Sequence, residues 1–118
     1  MNQSDTLIKS IVYFIFFFYI VMAVFDLSVT LAVIRYQPTY FLQYEGNTFF
    51  RDWIASGKHL FLSPSVILDF SIPLSLLITH AMWNKKKTKP RFSLLLGFIL
   101  ICIMLAAAHA AGAYSWLS

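Results

Sequence analysis

Cysteine, charge and any known catalytic signature are what this 118-residue chain has least of. Its single cysteine, Cys102, lies inside a long apolar run, so an internal disulfide, a CxxC pair and a thiolate metal site are all excluded. Charged residues are only 12% of the chain against 59% hydrophobic ones, and the mean hydropathy of +0.72 lies outside the soluble range. No GxSxG, HExxH, P-loop or GxGxxG phrase occurs. The net charge of +4 is not a nucleic-acid footprint. Five of the nine basic residues (Lys85, Lys86, Lys87, Lys89 and Arg91) crowd into the stretch "NKKKTKPR" between two apolar runs, where they act as a topology signal. What remains is one small domain built for a membrane.

Three apolar runs are long enough to cross one. Ser10 to Ile34 is flanked by Lys9 and Arg35, Leu60 to Trp83 follows, and Phe92 to Leu117 is the third. The first run is too long for a signal-peptide core and lacks the small-residue cleavage site, so it reads as a retained span. Ser63 and Pro64 predict the start of the second helix, and Pro73 should kink it and free the carbonyl of Asp69. Lys9 and the basic loop 84–91 place six cations on one side, against Arg35, Arg51 and Lys58 on the other. The positive-inside rule then predicts a cytoplasmic N-terminus and an external C-terminus. On that topology Asn2-Gln3-Ser4 faces the cytoplasm and is no glycosylation site. The basic side also suits anionic lipid headgroups.

The external segment 36–59 is unusually aromatic. Asn47 or Thr48 can cap a short helix there, with Phe49, Phe50, Trp53 and Ile54 on its apolar face and Gly57 as its stop, which predicts an interfacial helix. Tyr40, Tyr44, Glu45, Asn47 and Trp53 are the candidate contacts to a partner. Glu45 is the exposed carboxylate best placed for a neighbour's arginine. The fold class expected is therefore an all-α membrane protein: three transmembrane helices and one short outer helix.

The phrases "FDLSVTL" and "LDFSIPL" put Asp26 and Asp69 inside two of these runs, where a carboxylate costs about 2.5 to 3.5 kcal/mol unless it faces protein, water or a partner. Each lies nine residues from the outer boundary of its span, and His109 lies nine residues before the C-terminal Ser118. Helical rise puts all three roughly 13 Å below the outer ends, in one polar layer. Sharing one half of the membrane argues against an inverted duplication. Thr30 is one turn from Asp26 and Tyr19 two turns earlier, while Ala108 and Gly112 form a small-xxx-small pair beside His109. Three roles are open to the layer. Asp26, Asp69 and His109 are acceptable metal ligands in a bare set; carboxylates in spans mark proton or ion transfer, for which three helices alone enclose no pathway; or the groups bond to one another, to Thr30, to Ser71 or to a partner helix and hold the bundle in register. His59 and His80 lie too far apart to share a ligand and are expected on the surface.

The stretches "DLSVTLAVIRYQPTYFLQYEGN" and "SPSVILDFSIPLSLL" resemble the small three-span X subunits of archaeal ammonia monooxygenases, over nearly the whole chain. That resemblance implies an accessory subunit of a copper-dependent membrane complex that oxidises ammonia to hydroxylamine. Other membrane subunits would be its partners and would hold the copper, and this chain would bind no cofactor and carry no catalytic residue. A second, weaker likeness is to uncharacterised small prokaryotic membrane proteins with Asp-x-x-x-Thr in the first span and Glu-x-Asn-Pro after it. Asp26 to Thr30 and Glu45-Gly46-Asn47 match, and Thr48 stands in place of the proline. Two functions follow: a structural subunit of that complex, or a small homo-oligomeric transporter moving protons or a metal through the layer.

Overall fold

In the computed structural model, residues 3–118 are described; Met1 and Asn2, and with them the Asn2 sequon, lie outside these. The described chain is all helical. It comprises α1 (Gln3–Tyr36), α2 (Pro38–Tyr44), α3 (Thr48–Ala55), one 3₁₀ turn (Leu60–Leu62), α4 (Pro64–Lys85) and α5 (Lys89–Leu117). By length and composition α1, α4 and α5 are each able to cross a membrane. At about 1.5 Å per residue, the 34 residues of α1 account for nearly all of the 54 Å long dimension.

The three long helices pack against one another along seams whose inward positions alternate in steps of three and four. On α1 these are Val12, Ile15, Tyr19, Asp26 and Thr30; on α4, Val66, Asp69, Pro73, Leu76 and His80; on α5, Cys102, Ala106, His109 and Ala113. This is the spacing by which packed helices interdigitate their side chains. The half of the bundle nearer the 86–88 loop is filled by Val12, Ile15, Tyr19, Leu76, Leu95, Cys102 and Ala106. The other half carries Asp26, Asp69 and His109. Lipid chains are as apolar as leucine, so close packing and interhelical polar contacts, rather than water exclusion, hold such helices together.

Helix ends differ from the expected span limits because charges mark a membrane boundary and not the end of a helix. The first helix runs through Lys9 and Arg35 and stops only where Pro38 restricts Gln37. Pro38 then opens α2, a helix additional to the one expected in the outer segment. The second helix begins at Pro64 as expected, with Ser63 at its N-cap position. Ser63 makes no capping bond, however; it is fully buried with its hydroxyl unpartnered. The third starts at Lys89 because Thr88 caps it, leaving 86–88 as the turn.

α3 forms where anticipated. The Asn47 side chain accepts the Phe50 N–H at 3.0 Å, and beyond the end of the helix Gly57 adopts φ 77°, a left-handed conformation that suits glycine. It does not rest alone on a surface. Phe41 of α2, Phe50 of α3, Leu60 and Val66 form a second core, bordered by Leu27, Phe70 and Trp116, that clamps both short helices over the ends of the long ones. Asn47→Ala should cost about 1 kcal/mol, and hydrogen exchange should show it concentrated in 47–55.

At the opposite end Lys87 pairs with Asp5, and the Arg91 guanidinium donates to the Met82 carbonyl at 2.8 Å, capping α4. Two of the five basic residues therefore also tie helices together, whereas Lys85, Lys86 and Lys89 remain exposed. His80, expected on the surface, is only 5% exposed; it packs edge-on to Tyr13, and its Nε2 has no partner. Its place on the α4 seam, four residues after Leu76, is the reason. His59 is exposed as expected and accepts the Phe61 N–H at 3.1 Å.

Candidate functional site: a polar layer beneath a roofed cavity

The polar layer forms within the one chain. His109 on α5 directs Nδ1 at Asp26 Oδ2 of α1, 2.7 Å away, and Nε2 at Asp69 Oδ1 of α4, 3.6 Å away. The first is a hydrogen-bond distance, and the second is an ion-pair separation beyond hydrogen-bond range. Only a ring protonated on both nitrogens donates toward both carboxylates. Each of the three spans thus contributes one member, and the imidazole is the bridge.

Tyr19 adds a second tie. Pro73 has no N–H to offer the carbonyl four residues earlier, and that carbonyl, of Asp69, instead accepts the Tyr19 hydroxyl at 2.7 Å. The buried Tyr19 ring also packs edge-on against His109, with centroids 5.6 Å apart. The two halves of this contact were visible separately, Pro73 four residues after Asp69 and Tyr19 on the Asp26 side of its helix, but not their meeting. Thr30 lies 3.5 Å from Asp26 Oδ1, a long contact for a hydroxyl. Ser71, a candidate for the layer, turns away and donates to the Leu68 carbonyl at 2.8 Å.

Small residues make the approach possible, Gly112 of the anticipated pair among them. A Cβ on Gly112 would stand 3.2 Å from Asp26 Oδ1, so this glycine makes room for the carboxylate. Ala108 is exposed along the cavity described below, and the helix contact is made by Ala106 and Ala113, three before and four after His109.

Above the layer is a cavity of about 500 Å³. Asp26, Thr30, Asp69 and His109 line it from the spans, Glu45 and Asn47 from the α2–α3 turn, and Phe50, Phe70 and Trp116 are among its apolar walls. The turn is pinned: Glu45 Oε1 accepts the Asn47 N–H at 3.0 Å, and the Asn47 amide donates to Ser65 of α4 at 3.3 Å. Glu45 is consequently half-buried and turned inward, contrary to its expected exposure, because the short α2–α3 turn folds over the bundle. Burial pushes its carboxyl above the usual range and the nearby Asp26 charge adds to this, against the hydrogen bonds of Asn47 and Gly46. A carboxyl raised on folding lends the fold stability below the ordinary carboxylate range, and this is lost as pH rises through the elevated value. Glu45→Gln, neutral throughout, should therefore melt at or above the parent temperature at pH 7 and remove that part of the pH dependence. Thermal melts from pH 4 to 8 check this.

The other expected partner contacts are engaged within the chain. Tyr40 lies against Tyr44, with centroids 4.6 Å apart, and against Trp116 at 5.8 Å; Trp53 donates its indole N–H to the His59 carbonyl at 2.8 Å beneath Lys58. The metal reading of Asp26, Asp69 and His109 finds no geometric support. His109 faces one carboxylate with each ring nitrogen, and among the described residues no set of three or more His, Cys, Asp or Glu side chains is arranged to hold a metal ion. Ser65 and Trp116, which complete the cavity wall, carry no signal in the sequence beyond their place at helix ends. No family model, curated protein or solved structure matches this chain.

Proposed function

We propose that this chain is a non-catalytic helical subunit of a larger assembly in the cell membrane, with Gln3 and the 86–88 turn on the cytoplasmic side. The observation that carries the reading is the pairing of a self-contained interior with an uncovered aromatic ridge. The polar layer closes inside the chain, while Tyr13, Phe14, Phe17 and Phe18 project outward along α1, two of them stacked on each other. Outside the spans Phe49 is 85% exposed. Aromatic surfaces of this kind supply van der Waals contact to a neighbouring helix, where burying apolar area alone brings little. The resemblance in the sequence supports one assembly in particular, a copper-dependent ammonia monooxygenase of the archaeal type, with copper held by other subunits. Mild solubilisation of the native membrane and sizing test this. Migration with a copper-containing complex is the expected result, and a free monomer would overturn the proposal.

A second reading is favoured by one observation, that the cavity reaches the layer from the end carrying α2 and α3. A homo-oligomer passing protons by way of Asp26, His109 and Asp69 would use this opening. Reconstituted alone in liposomes, it would acidify them under a pH gradient, and Asp69→Asn would abolish the flux. Absence of flux in the parent protein removes this reading.

A further inference from the structure

We infer that the groove between α3 and the first turn of α4 binds the phosphate of an anionic phospholipid, with an acyl chain of that lipid along its apolar wall. The inference needs α4 to cross a membrane and is independent of the assembly the chain joins. The groove has a volume of about 310 Å³ and is lined by Phe49 and Trp53 of α3 and by Ser63, Pro64, Ser65 and Leu68. Its two serines stand together at the start of α4, the level at which a spanning helix passes from lipid headgroups into hydrocarbon.

Ser63 is the sign of a ligand. It lines the groove and is 0% exposed, yet its hydroxyl has no partner and makes no cap on α4. Buried hydroxyls are nearly always hydrogen-bonded, so a donor left over in the groove wall calls for an acceptor from outside the chain. More donors stand beside it. The first helical bond runs from the Ile67 N–H to the Ser63 carbonyl at 3.0 Å, which leaves the Ser65 and Val66 N–H groups with no acceptor in the helix. The Ser65 hydroxyl accepts the Asn47 amide at 3.3 Å and keeps its own proton to donate. The dipole of the 22-residue α4 favours an anion at the same place. No carboxylate lines the groove, and the neighbouring Asp52 is paired with Arg51 at 3.4 Å. Lys58 lies over the Trp53 ring, 4.7 Å from its centroid, and makes no ion pair among the described residues. A phosphate diester meets these groups: its oxygens accept the hydrogen bonds and its charge complements Lys58. The walls favour a lipid over a soluble phosphate, because Phe49 and Leu68, 85% and 61% exposed, flank the donors with apolar surface that an acyl chain covers. A choline or ethanolamine headgroup would bring a second cation beside Lys58, which selects a net-negative lipid.

Native mass spectrometry of the full chain in maltoside micelles tests this. Every sample carries Lys85→Gln, Lys86→Gln and Lys89→Gln, exposed positions whose charges would otherwise collect lipid at the opposite end. Dioleoylphosphatidylglycerol should bind as one saturable adduct, while dioleoylphosphatidylcholine, dioleoylglycerol and inorganic phosphate each bind at least five-fold more weakly. Ser63→Ala deletes a hydroxyl that bonds to nothing in the chain. It should therefore leave the lipid-free melting temperature unchanged or higher, yet weaken phosphatidylglycerol binding at least five-fold. Lys58→Gln, on an exposed side chain, should weaken it at least two-fold. Equal binding by the parent and either variant, with helical circular dichroism unchanged, would overturn the inference. Inorganic phosphate binding as tightly as the lipid would overturn it in favour of a soluble-anion site, and dioleoylglycerol binding as tightly would leave only an apolar groove.

Discussion

Replacing His109 by leucine is expected to lower the stability of the bundle by about 3 kcal/mol. Removing one partner from a buried ionic group typically costs about 3 to 5 kcal/mol, because the charges left behind have neither water nor a counterion. Here two carboxylates would be left, on different helices and facing the space the imidazole had occupied. Both keep some access to the cavity, with side-chain exposures of 22% and 33%, which places the effect at the lower end of that range. The charge argument has a signature that lost packing does not share. Asp26→Asn added to His109→Leu should recover part of the loss, since it removes one of the orphaned charges, whereas a pure cavity effect would be unchanged or worsened by the second substitution. Denaturant titration of the two variants and the parent in the same nanodiscs measures it. A leucine variant as stable as the parent would mean that the layer does not hold the helices.

The second large effect is conditional. Tyr19→Phe should cost about 1 to 3 kcal/mol, the usual penalty for leaving a buried polar group unsatisfied, because it strips the Asp69 carbonyl of its donor. That carbonyl needs Tyr19 only because Pro73 cannot supply an N–H. In a Pro73→Ala background the helix supplies its own donor at that position, and most of the Tyr19→Phe penalty should vanish. The double-mutant cycle therefore predicts a coupling of at least about 1 kcal/mol between residues 54 positions apart. Additive losses would mean that the Tyr19 hydroxyl is dispensable and that the ring alone, packed on His109, matters.

The same contact shows how much of the site was legible. Asp26, Asp69 and His109 were placed at one depth by counting residues from the span ends, and the structure brings all three together. Counting succeeds because rise along a helix axis is fixed at about 1.5 Å per residue. Rotation about that axis is less accessible. Ser71, two residues beyond Asp69, was admitted to the layer but points about 160° away on a helical projection of about 100° per residue, and Ala108 falls one residue short of the His109 seam. His80 was misplaced for a related reason: a histidine near a helix end looks solvated until the seam through Pro73, Leu76 and His80 is drawn. The inward direction of the turn at Glu45 was not legible, since that depends on Phe41 and Phe50 finding Val66 and Leu60 in a second core.

From its sequence alone this protein is determined to be an all-helical chain with three stretches long and apolar enough to cross a membrane, a polar level inside one half of its apolar length and six of its nine cations at the other end. Those properties are one-dimensional: hydropathy, charge and depth follow from composition along the chain and a constant rise. The tertiary structure alone decided that His109 stands between the two aspartates, that Tyr19 replaces the donor Pro73 lacks, and that Glu45 turns inward to roof a cavity. Each of these depends on the relative rotation and closeness of helices joined through distant residues, which is set by how their side chains interdigitate, down to the room left by the missing Cβ of Gly112.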